Sequence, residues 1–167
     1  QAVSVGNDVG EVSTWVRSVE GAQVKAFRGE VELAHSALVV LAVLDDIDQC
    51  HRWVFQCQGA QPLAQGGAHL RFNGIWPVDD RDATIISQAS VKPDSVLVRT
   101  VVQDGVLAEQ KGYVRIPELN NFFEIFPLPN GHTKVVFQTF VDPGGMLPAW
   151  VSNLVAKYGP LVTLVGL

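Results

Sequence analysis

Residues 111–158 read KGYVRIPELNNFFEIFPLPNGHTKVVFQTFVDPGGMLPAWVSNLVAKY, and this stretch decides the fold. Residues 121–128 and 133–142 are two apolar-rich runs separated by Pro129-Asn130-Gly131 and read as strands, with 121–128 expected to pair with 112–117 across Leu119-Asn120. Asp142-Pro143-Gly144-Gly145 then turns the chain. An amphipathic helix is expected from Pro148, a residue suited to a helix's first turn. A helix laid across a curved antiparallel sheet leaves an apolar hollow between the two, and the function is expected in that hollow.

Upstream, residues 11–20 and 23–34 read as a strand pair turning near Gly21-Ala22, with Gly29 expected to mark a bulge. Ser36 is a good N-cap for a helix over ALVVLAVLDDI, where Asp45 and Asp46 oppose the C-terminal dipole and end it. A second short helix is expected over 48–55, capped by Asp48. Pro62, Gly66 and Gly67 mark a loop, and 69–76 alternates as a strand. Residues 77–82 read as a connection. Strands are expected at 83–92 and 95–103 around Lys92-Pro93-Asp94, and at 112–117. The order is two strands, two short helices, six strands and a long C-terminal helix. That is an α+β fold with a curved antiparallel sheet of six to nine strands, a size that must curl. The final helix is its natural cover, although Gly159-Pro160 is expected to break or kink that helix.

The bulk composition fits one domain over residues 1–167: 47% of residues are hydrophobic and 17% charged, enough for a sizeable core. A net charge of −5 with scattered Lys and Arg argues against nucleic acid as a partner and against standing adhesion to anionic membranes. No apolar run reaches the ~18 residues that span a bilayer. Two cysteines, Cys50 and Cys57, would lie about 10 Å apart in one continuous helix, too far for a disulfide. A helix ending near Phe55 lets the chain fold back and bridge them, which an oxidising compartment favours. A disulfide and a pair of buried free thiols both stay open. Gln1 in first place and the cysteine pair lean toward an exported, periplasmic location.

Several motifs, in this order, resemble the START lipid-transfer domain of the helix-grip group, which also holds the Bet v 1-like proteins. They are Asp45, Ile47 and Asp48 followed by Trp53; Trp76-Pro77-Val78 followed by Arg81-Asp82; Lys111-Gly112-Tyr113-Val114-Arg115; and Asp142-Pro143-Gly144-Gly145 with Leu147-Pro148 and Trp150. The resemblance covers nearly the whole chain and is closest to a bacterial member. It implies a helix-grip fold and non-enzymatic binding, transfer or sensing of a hydrophobic, lipid-like molecule, with transient membrane contact during exchange. The chain is shorter than the family pattern, and the long helix usual ahead of the first strand is absent or cut away. The arginine of the acid–arginine pair found in several sterol-binding members would fall near Ser87, and the acid near Ala68, so sterol selectivity is not implied.

Alternation assigns the hollow's walls. Leu70 and Phe72 line the early strand, and Ile85, Ser87 and Ala89 the next. Val114 and Ile116, Phe123 and Ile125, then Val135, Phe137 and Thr139 face inward from the last three strands. Arg99 is expected on the wet face. Trp150, Leu154 and Tyr158 form the inward stripe of the final helix, with Val151 and Val155 on its edge. These are the expected ligand-binding residues, with Ser87 and Thr139 as polar contacts. The resemblance implies that Arg81 and Asp82 belong to the fold, tying their connection to a neighbouring strand. The plain alternative for inward apolar residues is packed core.

No GxSxG, HExxH, GxGxxG or P-loop pattern is present. Cys50, His51 and Cys57 lack a fourth ligand for zinc, and Cys57 lacks a base. No catalytic residue, metal or cofactor is expected. Two rival readings are a polyketide cyclase of the same superfamily, which would need several inward polar or ionisable groups, and a ligand-free interaction module whose interior is filled by its own side chains.

Overall fold

The computed structural model describes residues 2–4, 11–22 and 24–166; within the last helix some side chains, Tyr158 among them, lie outside the described residues. Among the described residues ten strands form one sheet: β1 Ala2–Ser4, β2 Glu11–Arg17, β3 Ala26–Leu33, β4 Cys57–Pro62, β5 Ala68–Phe72, β6 Asp80–Val91, β7 Val96–Val102, β8 Tyr113–Arg115, β9 Glu118–Pro127 and β10 Thr133–Asp142. The order across the sheet is β1-β2-β3-β10-β9-β7-β6-β5-β4. Every neighbouring pair on that path is antiparallel, and β8 pairs in parallel with the start of β6. Helix α1, Ala37–Asp45, and a six-residue 3-10 turn, Ile47–Arg52, sit between β3 and β4, and helix α2, Ala149–Gly166, closes the chain.

The antiparallel sheet with two short helical pieces between β3 and β4 matches the sequence reading, with five corrections. The 112–117 strand does not pair with 121–128: β8 pairs with β6, where Arg115 reaches Asp82, and β9 pairs with β7 and β10. The strand count is ten instead of six to nine, because β1 and β4 were not expected; β4 (CQGAQP) is poor in β-branched and aromatic residues, and is a strand because β5 pairs with it. Gly29 marks no bulge, since it pairs in register with both Phe137 and Thr14; the register shift lies between Cys57 and Gly59. The second helical piece begins at Ile47, and no side chain caps it. Finally, α2 runs through Pro160 without ending there. Packing outweighs the local penalty: Gly159 lies against the Phe55 ring, and the Phe55 N–H donates to Thr163 Oγ1 at 3.0 Å.

Ser36 caps α1 as expected, its Oγ accepting from Val39 N. The apolar face of α1 packs on a cluster that includes Phe27, Val31, Ile125, Val135 and Phe137. A second cluster, with Leu70, Ala83, Ile85, Ile116 and Leu119, surrounds the Cys50–Cys57 pair. That pair forms a disulfide with its Cα atoms 5.9 Å apart, which resolves the question left open by the spacing. It closes the loop holding Trp53, Val54, Phe55 and Gln56.

Asp82 joins three elements. Its side chain is fully buried. Arg115 donates to it twice, Nε to Oδ1 at 2.9 Å and Nη2 to Oδ2 at 3.0 Å, while His69 Nε2 lies 2.8 Å from Oδ2. Burial opposes the charge on Asp82, but the hydrogen bonds and charges of Arg115 and His69 outweigh it and hold the carboxyl below its ordinary range. The same bonds raise Arg115 above its ordinary value. Neighbouring Arg81 points the other way and donates to the carbonyls of Pro143 (3.2 Å) and Gly144 (2.9 Å). Gly144 and Gly145 both have positive φ, +68° and +65°, and a Cβ on Gly144 would stand 2.9 Å from Pro117 Cδ. Glycine is therefore required at this turn.

Asp82→Asn should destabilise the fold by about 3–5 kcal/mol, because it strands Arg115; chemical denaturation measures this. A lowered folded pKa stabilises fully above the unfolded value, so the Asp82 contribution should be intact above about pH 4 and lost as pH falls through the lowered native value. Acid titration of the wild type should therefore show a steep loss of stability that the Asn variant lacks. Replacing both cysteines with serine should cost roughly 2–3 kcal/mol, given the short closed loop.

Candidate functional site

A cavity of about 1000 Å³ opens between the concave face of the sheet and the elements that cover it. Its floor comes from β5, β6, β7, β9 and β10. Its roof comes from α1, the disulfide-closed loop over 53–56, the 74–79 connection and α2. The volume lies at the upper end of the range for small-molecule sites.

The floor follows from strand register. Residues of one parity on β6 and β7 meet their partners of the same face on β9 and β10. Leu70, Phe72, Ile85 and Ser87 line the cavity, as do Ile116, Phe123, Phe137 and Thr139. Phe123 and Phe137 stack at 4.4 Å between ring centres, 11° from parallel, and Trp53 meets Phe123 edge-on at 6.1 Å. This aromatic group separates the cavity from the core beneath α1. Trp53 Nε1 is buried there with no hydrogen-bond partner among the described residues. Arg99 is exposed, on the face away from the cavity.

Other expected wall residues lie elsewhere. Ile125 and Val135 face inward but are completely buried in the cluster under α1, which fills that end of the hollow. Val114 packs beside Gly145 at the turn before α2. Trp150 is a correction: it is 53% exposed, while Val151 beside it is 2% exposed and lines the cavity. The inward stripe of α2 is Val151, Val155, Gly159 and Thr163, one residue on from the aromatic stripe, a rotation of about 100°. Leu154 is half-buried and lies off the cavity wall. Tyr158 falls outside the described side chains.

Sequence reasoning missed the loop residues Trp53, Val54, Phe55 and Gln56, together with Val98, Thr100, Leu119 and Asn121. The alternation of 95–103 could have yielded Val98 and Thr100. The loop residues carried no periodic signal. Of the charged lining residues, Lys25, Asp45 and Asp79 are exposed and sit at the rim. Arg81 is buried, with its guanidinium bonded to the carbonyls of Asp79, Pro143 and Gly144. The interior is thus apolar, with a few neutral hydroxyl and amide groups. Among the described residues no group of three or more His, Cys, Asp or Glu is placed to hold a metal.

No protein-family profile matches the chain. An uncharacterized protein of Pseudomonas aeruginosa is 29% identical over 168 residues, covering 98% of this chain and 83% of the relative. Among solved structures, the STAR-related lipid transfer protein fragment from Xanthomonas axonopodis superposes with a TM-score of 0.83 at 27% identity, over 98% of this chain and 93% of that one. Human STARD10 superposes with a TM-score of 0.72 at 18% identity, over 99% and 72% of the two chains. Human StAR-related lipid transfer protein 5 gives 0.72 at 18%, over 99% and 81%. The two human likenesses speak for the fold alone. The motifs around Asp82 and Gly144, the sheet order and the Xanthomonas likeness agree, and together they support a START-like fold similar to that of the bacterial STAR-related lipid transfer protein.

Proposed function

We propose that residues 1–167 act as a single START-like domain whose sheet curls around α2 as its long closing helix, and that it carries or senses one hydrophobic, lipid-like molecule without chemical change. The observation that carries this reading is the cavity itself, about 1000 Å³ walled by Phe, Ile, Leu and Val side chains. Burial of a methylene is worth about 0.8 kcal/mol. Ten buried methylenes therefore give roughly 8 kcal/mol, which corresponds to micromolar affinity before the cost of immobilising the guest. A longer acyl or polyprenyl-like chain exceeds that cost without needing an ionic contact. The likeness to a bacterial protein named for STAR-related lipid transfer supports the same reading.

The interior supports a carrier over a cyclase. Its polar side chains are neutral apart from Arg81, whose guanidinium is already bonded to three backbone carbonyls. Transfer by this reading includes transient membrane contact; Leu38 at the rim, 79% exposed, supplies apolar surface for it. The Cys50–Cys57 bridge fits an oxidising, extracytoplasmic compartment.

Native mass spectrometry of the purified protein should show one bound hydrophobic molecule per chain, or one-to-one binding from a panel of lipids. A protein that carries no adduct and binds nothing across the panel would contradict the proposal. Ala89 lies on the open part of the cavity floor, so Ala89→Trp should weaken binding at least about tenfold by occupying guest volume while shifting stability by under ~1 kcal/mol. Binding assays paired with thermal melts check both halves.

A further inference from the structure

Four neutral polar residues line up across the cavity floor. Ser87 on β6 is the register partner of Thr100 on β7, Thr100 of Asn121 on β9, and Asn121 of Thr139 on β10. All four line the cavity. Strands lie about 4.8 Å apart, so the row runs roughly 14 Å across the floor, perpendicular to the strands. The rows on either side are apolar. Toward the β6–β7 turn stand Val98, Phe123 and Phe137, each paired with the next; on the other side stand Ile85, Leu119 and Val141.

The row bonds to itself in two pairs and keeps donors in reserve. Ser87 Oγ and Thr100 Oγ1 are 2.6 Å apart, so one hydroxyl donates to the other, and among the described residues the second O–H is given to no other protein atom. Thr139 donates to Asn121 Oδ1. Asn121 Nδ2 has two N–H groups, and among the described residues neither is given to another protein atom. A pure hydrocarbon across this row would strip water from those donors and return nothing. A charged group would find no counter-ion among the four, and burying an unpaired charge is far costlier.

We infer that the ligand is an apolar molecule carrying an uncharged oxygen acceptor partway along its length, a ketone, ester carbonyl or hydroxyl, which rests on this row with apolar portions to both sides. The inference rests on the carrier reading above and specifies the chemistry of its guest. Thr100 and Asn121 are its main determinants, because they occupy the centre of the row.

The test compares two guests of equal chain length, an unbranched alkane and the ketone with its carbonyl at mid-chain, in competition against a fluorescent apolar probe. The wild type should bind the ketone about tenfold more tightly than the alkane. Asn121→Leu and the near-isosteric Thr100→Val should each shrink that ratio by roughly threefold to tenfold, the worth of a neutral hydrogen bond, with alkane affinity held or raised. Thr100→Val preserves side-chain shape and decides the matter should Asn121→Leu not fold. Equal affinities in the wild type, or a ratio unchanged in the variants, would overturn the polar-row assignment and leave the carrier reading standing. Failure of both guests to bind would overturn both.

Discussion

The buried carboxylate of Asp82 is the constraint on which the arrangement rests. Consecutive residues of a strand point to opposite faces, and the Arg81-Asp82 dipeptide uses both. Asp82 faces away from the cavity and binds Arg115 and His69, and its own carbonyl accepts the Ile116 N–H at 2.9 Å. Arg81 faces the turn ahead of α2 and holds two of its carbonyls. One dipeptide thus attaches β8 to the sheet and fixes where the last helix begins. Removing either partner of the buried pair is costly because the remaining charge has no solvent to return to. The turn at Gly144 and Gly145 is accordingly clamped at its start, and movement of α2 would have to begin beyond it.

The hollow persists because the covering elements touch the sheet at its margins. Helix α1 fills one end with its own cluster, ending at the stacked Phe123 and Phe137 rings. The disulfide-closed loop supports the far part of α2 through Phe55 against Gly159 and Thr163. Glycine at 166 also permits close approach, since a Cβ there would stand 2.8 Å from the Trp53 carbonyl oxygen. Between these supports the side chains of the floor meet no facing layer. Protein interiors normally close such gaps, and an apolar cavity of this size gains stability by taking up an apolar guest.

Much of this was legible in the sequence. The last strand was read with its true limits, Thr133–Asp142, because its alternation and flanking turns leave one reading. The structural role of Arg81 and Asp82 came from the family resemblance alone, since 77–82 read as a connection although β6 begins at Asp80. The parity of Phe123, Phe137 and Thr139 was sound because strand alternation fixes it, but parity separates cavity wall from filled core only when the covering element is known. Ile125 and Val135 show this, since α1 buries them completely. Trp150 was misread because the largest aromatic side chain drew the helix stripe toward itself, whereas contact with the sheet selected Val151. Thr100 and Asn121 were invisible as a pair, because their adjacency depends on cross-strand register, which a single sequence does not state.

The central claim is that a guest occupies the space between sheet and α2. Photo-crosslinking with an apolar chain bearing a mid-chain diazirine tests it most directly, with adducts mapped by peptide mass spectrometry. The account predicts adducts within β7, β9, β10 and the Val151–Val155 segment of α2, abolished by unlabelled competitor. Labelling confined to outward surfaces such as Trp76 and Trp150, or labelling that competitor does not reduce, would contradict it.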